Sequence, residues 1–137
     1  MDVKLAVLAD FASVTREGKL NILGIFDEVN PATLPAVLPI IYVVVMLEAG
    51  AAEVDSEKNI ALVLVDADGV TKMRIEQSLT VPPPPRPGSR TEIHQINALV
   101  QMPFEQAGLY QFVILVNGEE KDTISLRVNE PIEASSA

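Results

Sequence analysis

Gly108-Leu109-Tyr110-Gln111-Phe112-Val113-Ile114-Leu115-Val116-Asn117-Gly118 is a run of alternating large apolar residues that ends in Asn-Gly. Asn-Gly supplies two neighbouring residues that accept positive φ, as a two-residue type I′ hairpin demands, and strand-forming residues lead into it. The stretch predicts a β-hairpin, with a return strand over about Asp122 to Val128, and it points to an all-β chain. Glu130 to Ala137 reads as a flexible C-terminal tail, leaving 1–129 as a single domain.

Working back from the hairpin, Thr91 to Met102 reads as another strand. It follows Val81-Pro82-Pro83-Pro84-Pro85-Arg86-Pro87-Gly88, which lacks backbone donors and is confined to polyproline II or irregular structure. In Val70 to Thr80, Met73, Ile75, Gln77 and Leu79 alternate with Lys72, Arg74, Glu76 and Ser78, so one face is wet. The turn before it is Asp66-Ala67-Asp68-Gly69, and Asn59 to Val65 and Ile40 to Glu48 are strands on either side of an acidic, small-residue loop, Ala49 to Glu57. Prolines at 31, 35 and 39 make Val29 to Pro39 an extended crossover rather than a helix or central strand. Val3 to Phe11 and Lys19 to Asp27 form a hairpin about Thr15-Arg16-Glu17-Gly18, with Val3, Leu5, Val7, Ala9 and Phe11 on one face. About eight strands at this spacing predict an antiparallel two-sheet sandwich, immunoglobulin-like or jelly-roll.

Composition narrows the function. The 137 residues contain no cysteine, which rules out disulfides, thiolate metal sites and a cysteine nucleophile. Nineteen acidic residues against ten basic give a net charge of -9, and the basic residues are scattered singly. That surface repels a phosphate backbone, so a nucleic-acid partner is not expected. The longest apolar run, Ile40 to Leu47, is far short of the roughly 18 to 20 residues of a spanning helix, so no membrane partner is expected. Met1-Asp2-Val3-Lys4 shows no secretory signal pattern, and the expected location is cytoplasmic.

Four groups of residues carry the resemblance of Val3 to Asn129 to a known family: Leu8-Ala9-Asp10-Phe11-Ala12-Ser13-Val14, Gly18-Lys19-Leu20-Asn21-Ile22-Leu23-Gly24-Ile25-Phe26-Asp27, Leu64-Val65-Asp66-Ala67-Asp68-Gly69, and Gly108-x-Tyr110-x-Phe112 with Asn117-Gly118. The chain resembles a family of small uncharacterised bacterial proteins known as a domain of unknown function. The resemblance implies a β-sandwich and brings no catalytic residues.

Candidate sites have ordinary structural explanations. Asp66-x-Asp68-Gly69 imitates the start of a calcium loop, but position twelve of the count is Gln77, and an Asx turn closed by glycine accounts for the motif. His94, the only histidine, follows Glu92 by two residues on one strand face, about 6 to 7 Å along the chain. That face continues as Ile96, Ala98, Val100 and Met102 and reads as entering the core from its wet end. Asp10, Asp27, Glu48 and Glu76 are the carboxylates available for acid-base work, yet no tryptophan accompanies them, and Tyr42, Tyr110 and Phe112 lie in apolar alternation. The Pro82 to Pro87 segment is a stiff connection, with recognition by an aromatic groove as its other reading. No catalytic, cofactor-binding or metal-binding residue is assigned.

The departure from an ordinary sandwich lies in strands that are apolar on both faces. Ile40, Tyr42, Val44 and Met46 alternate with Ile41, Val43, Val45 and Leu47; Ile60, Leu62 and Leu64 with Ala61, Val63 and Val65; Phe112, Ile114 and Val116 with Val113 and Leu115. A sandwich buries one face per sheet, so the other set calls for a cover, either a partner subunit or the Val29 to Pro39 segment. The expected protein is a non-enzymatic interaction or assembly module, a homo-oligomer and most simply a dimer, with a further protein partner open. A small hydrolase or ligand binder using carboxylates and His94 is the alternative.

Overall fold

The computed structural model describes residues 1–132. Nine strands run in chain order: β1 (Asp2–Val14), β2 (Leu20–Phe26), β3 (Glu28–Val29), β4 (Ala36–Ala49), β5 (Glu57–Val65), β6 (Thr71–Thr80), β7 (Thr91–Phe104), β8 (Gly108–Val116) and β9 (Glu119–Val128). A short 3-10 turn, Ala51–Glu53, separates β4 from β5. Sheet I has the order β2-β1-β4-β7 and sheet II the order β3-β9-β8-β5-β6. This is the two-sheet, all-β sandwich that alternation and turn chemistry predict. Among the described residues no helix is long and apolar enough to cross a membrane.

Asn117 and Gly118 have φ of 50° and 81°, and Val116 faces Glu119 across the β8–β9 hairpin. Both central φ are positive, as a type I′ turn requires. Asn117 is also tied to β5: its N–H donates to the Asn59 carbonyl at 2.8 Å, and its Oδ1 accepts from the Asn59 N–H at 2.9 Å.

The core lies between the sheets. Leu8, Ile41, Val43, Val45, Leu47 and Leu99 come from sheet I, and Ile60, Leu62, Leu64, Phe112, Ile114 and Leu126 from sheet II. Phe104 meets Tyr110 edge to face at 4.9 Å, and the Tyr110 hydroxyl donates to the Gln106 carbonyl at 2.7 Å. The ring is buried while its polar end stays satisfied.

The expected strands are joined by a ninth, β3, whose two residues run parallel to β9 and are too short to show any alternation. Two expectations need correction. The crossover ends early, because Ala36 to Pro39 already belong to β4, and Ala36 to Leu38 pair with β7. Pro39 is tolerated because the β1–β4 ladder stops at Ala9 and Tyr42, so β4 has a neighbour on one side only at that level. On β7 the core-facing residues are Ile93, Gln95, Asn97 and Leu99, whereas His94, Ile96, Ala98 and Val100 point outward. Only beyond Gln101, whose φ is 58°, does Met102 pack against the core.

Gly24 of β2 has φ of 70°, and a Cβ built there would stand 2.3 Å from Asp10 Oδ2 on β1. Backbone and side chain thus approach more closely than any other residue type allows. Of the segment expected to be a tail, Glu130 to Ile132 lie outside any strand, and residues 133–137 lie outside the described residues.

Candidate functional site

The outer face of sheet I is built from four strands. Register places Ile25, Ala9, Tyr42 and Ala98 in one row, with Leu23 opposite Phe11 and Ile40 opposite Val100 beside it. Exposure reaches 61% at Leu23, 62% at Ile25, 45% at Phe11, 41% at Ile40 and 62% at Val100. Phe11 and Tyr42 meet edge to face at 5.4 Å. Farther along lie Val7, Val44 and Ile96, then Leu5, Met46 and His94. Val44 and Ala9 are fully buried between larger neighbours, although they face away from the core.

The far end of this face is charged. A break in register between Val3 and Leu5 swings Lys4 outward, and its Nζ lies 3.3 Å from Glu48 Oε2 and 3.2 Å from Glu92 Oε2. Arg90 contacts Glu48 at 2.7 Å and Asp2 at 3.3 Å. His94 Nε2 lies 2.8 Å from Glu92 Oε1. The His94 hydrogen bond and then Lys4 hold the Glu92 carboxyl below the usual range, and Glu92 and Glu48 raise the Lys4 ammonium in turn. Glu92 and His94 therefore do share a face, as their spacing predicts, but that face is the outer surface of a sheet. Neither of the two cavities described below includes them.

The outer face of sheet II is different. Its apolar set is Ala61 and Val63, paired with Leu115 and Val113 on β8 and with Glu76 and Arg74 on β6. Ala61 and Val63 are buried within the chain, beside an Arg74–Glu76 ion pair. The doubly apolar sequence pattern thus has two outcomes: sheet II covers its second set and sheet I does not. The Val29 to Pro39 segment gives sheet I no cover, since Val29 and Leu34 pack against the core.

Asp66 spends its carboxylate on its own turn. Oδ1 accepts from the Asp68 and Val70 N–H groups at 2.9 Å each, and Lys72 stands 3.5 Å from Oδ2. The Val70 N–H is the main cause of an acidity stronger than an ordinary aspartate's. A cavity of about 320 Å³ adjoins this turn, lined by Asp66, Asp68, Lys72, Glu105 and Tyr110 among others. A second, also about 320 Å³, lies between Asp10, Phe26, Glu28, Leu38 and Ile40. Of the four carboxylates considered for acid-base work, Glu48 lies at the charged end of sheet I, Glu76 on sheet II, and Asp10 and Asp27 beside β2. Among the described residues no group of three or more histidine or carboxylate side chains converges as metal ligands would. Pro82 to Pro87 run along the surface from a buried Val81, with the Pro82 carbonyl held by the Thr91 hydroxyl at 2.8 Å.

The family of unknown function DUF6941 matches residues 4–129. The chain belongs to that family. No curated protein matches it. Similar solved structures include a β-glucuronidase from glycoside hydrolase family 2, 14% identical with a TM-score of 0.41 over 68% of this chain and 11% of that one. An immunoglobulin-like protein from Pseudomonas aeruginosa is 14% identical with a TM-score of 0.46, over 93% of this chain and 95% of that one. The chain spans only about a ninth of the length of the glucuronidase.

Proposed function

We propose that this member of the family is a non-enzymatic interaction module that assembles with itself through the outer face of sheet I. The observation that carries the reading is the cluster Phe11, Leu23, Ile25, Ile40 and Val100, five large apolar side chains exposed together on adjoining strands. Exposed apolar clusters on this scale mark contact surfaces. Charge leaves this face as the place where a second copy can dock. The chain carries -9, so two copies repel over most of their surfaces, whereas this apolar end bears no ionised side chain in its two rows.

Light scattering at micromolar concentration tests the reading. The expected mass is at least twice 14.8 kDa, and it is lower in the Leu23→Lys/Ile25→Lys protein, which loses this face contact. A wild-type protein that is monomeric throughout that range overturns it.

A further inference from the structure

We infer that two copies also join edge to edge, β7 against β7 of the partner copy, with Ile96 opposite its own symmetry mate. The inference takes from the proposed function only that the partner is a second copy.

Four strands end the two sheets, and three of them are poor templates for pairing. β6 carries Lys72, Arg74 and Glu76, β3 has two residues, and β2 is interrupted by Gly24 at positive φ. Charges, shortness and local twist are the usual protections of a sheet edge. β7 has none of these over Ile93 to Val100, eight residues without a carboxylate, lysine, arginine, proline or glycine. From Thr91 to Val100 it pairs with β4 without a break in register, and the first positive φ comes at Gln101. Its other edge has no strand beside it among the described residues.

A second observation lies at the same edge. Gln95 and Asn97 face inward and meet Gln77 of β6: Gln95 Nε2 donates to Gln77 Oε1 at 2.6 Å, and Gln77 Nε2 donates to Asn97 Oδ1 at 3.3 Å. Gln95 Oε1 is buried and, among the described residues, accepts no hydrogen bond. A buried acceptor without a donor destabilises the fold that holds it. Antiparallel pairing about a two-fold axis at Ile96 sets Gln95 opposite Asn97 of the second copy, twice, on the inner side. Rotation of the Gln95 amide toward that edge then brings its oxygen to the amide N–H groups of the facing Asn97. The same register sets Ile96 against Ile96 on the outer side and His94 against Ala98, so the two apolar outer faces join across the new strand pair.

The chain has no cysteine, which makes thiol cross-linking a clean test. Ile96→Cys, treated with a short bifunctional thiol reagent, is expected to give covalent dimer in good yield. Ser125→Cys, exposed on the outer face of sheet II and away from both this edge and the sheet I face, is expected to give little. A mixture of His94→Cys and Ala98→Cys proteins should link to each other, which covers the case of an Ile96 variant that does not fold. All these links should persist in the Leu23→Lys/Ile25→Lys background. Absence of linkage from every β7 position, or linkage no greater than from Ser125→Cys, overturns the edge pairing. If the lysine variant then still lowers the mass, the face contact stands alone. If β7 links and that variant changes nothing, the face contact falls and the edge pairing stands.

Discussion

The outer faces of the two sheets start from the same sequence pattern and end in different states. On sheet II the outward residues of β5 are small, Ala61 and Val63, and their cross-strand neighbours include the long, charged Arg74 and Glu76. Long charged side chains lay their apolar stems over small neighbours while their heads stay in water. On sheet I the corresponding rows hold Phe11, Tyr42, Leu23 and Ile25, with no long polar residue among them. What separates a finished surface from an unfinished one is thus the identity of the cross-strand neighbours, not the number of apolar residues in any one strand.

The largest effects separate inner from outer faces. Phe112→Ala, in the core, is expected to destabilise the monomer by about 3 to 5 kcal/mol in urea titration. Phe11→Ala, on the outer face of sheet I, should leave the monomer's unfolding midpoint nearly unchanged and weaken assembly instead. A loss of monomer stability at Phe11 equal to that at Phe112 would erase the distinction. The next effect belongs to the hairpin of sheet II. Gly118→Val places a β-branched residue at φ of 81° and should cost on the order of 1 kcal/mol or more. An unchanged urea midpoint would mean that the turn does not hold its type I′ form.

A smaller effect concerns the Asp66 turn, also in sheet II. Its carboxyl is more acidic folded than unfolded, so the stability it adds is present above the unfolded value near 3.8 and disappears as pH falls through the lower folded value. The wild-type urea midpoint should therefore drop on acidification below that value, and Asp66→Asn should flatten part of the drop. The smallest expected effect is at the charged end of sheet I: His94→Gln should leave oligomeric mass and metal content as they are. Elemental analysis of protein prepared without a polyhistidine tag checks this, and equimolar zinc, iron or nickel that vanished in the variant would turn Glu92 and His94 into a site.

Much of the fold was legible because turn chemistry is local. Asn117-Gly118 and Asp66 to Gly69 declare themselves in two to four residues, and the expected bounds of β8 are the observed ones. Facing was harder to read. The period of two in His94, Ile96, Ala98 and Val100 separates two sides of β7, but either side is apolar enough for a core, and only the position of sheet II decides between them. Gln95 and Asn97 look like the wet side until Gln77 arrives from β6. The exposed rows of sheet I were hidden for a similar reason, since they gather residues from β1, β2, β4 and β7 that are far apart in sequence. The doubly apolar β4 announced a surface in need of cover, while its neighbours on β2 could be assigned only through register.

The Asp10 carboxylate standing where a Cβ at position 24 would go constrains the order in which this sequence can change. Any replacement at Gly24 meets two obstacles, the collision and the left-handed backbone, and shrinking Asp10 to alanine eases only the first, leaving a Cβ at 3.1 Å. Asp10→Ala followed by Gly24→Asn, a residue that tolerates positive φ, is a passable route, while the reverse order begins with a collision. Substitutions at the two positions are therefore non-additive, and lineages that lose the aspartate are the ones in which the glycine becomes free to vary.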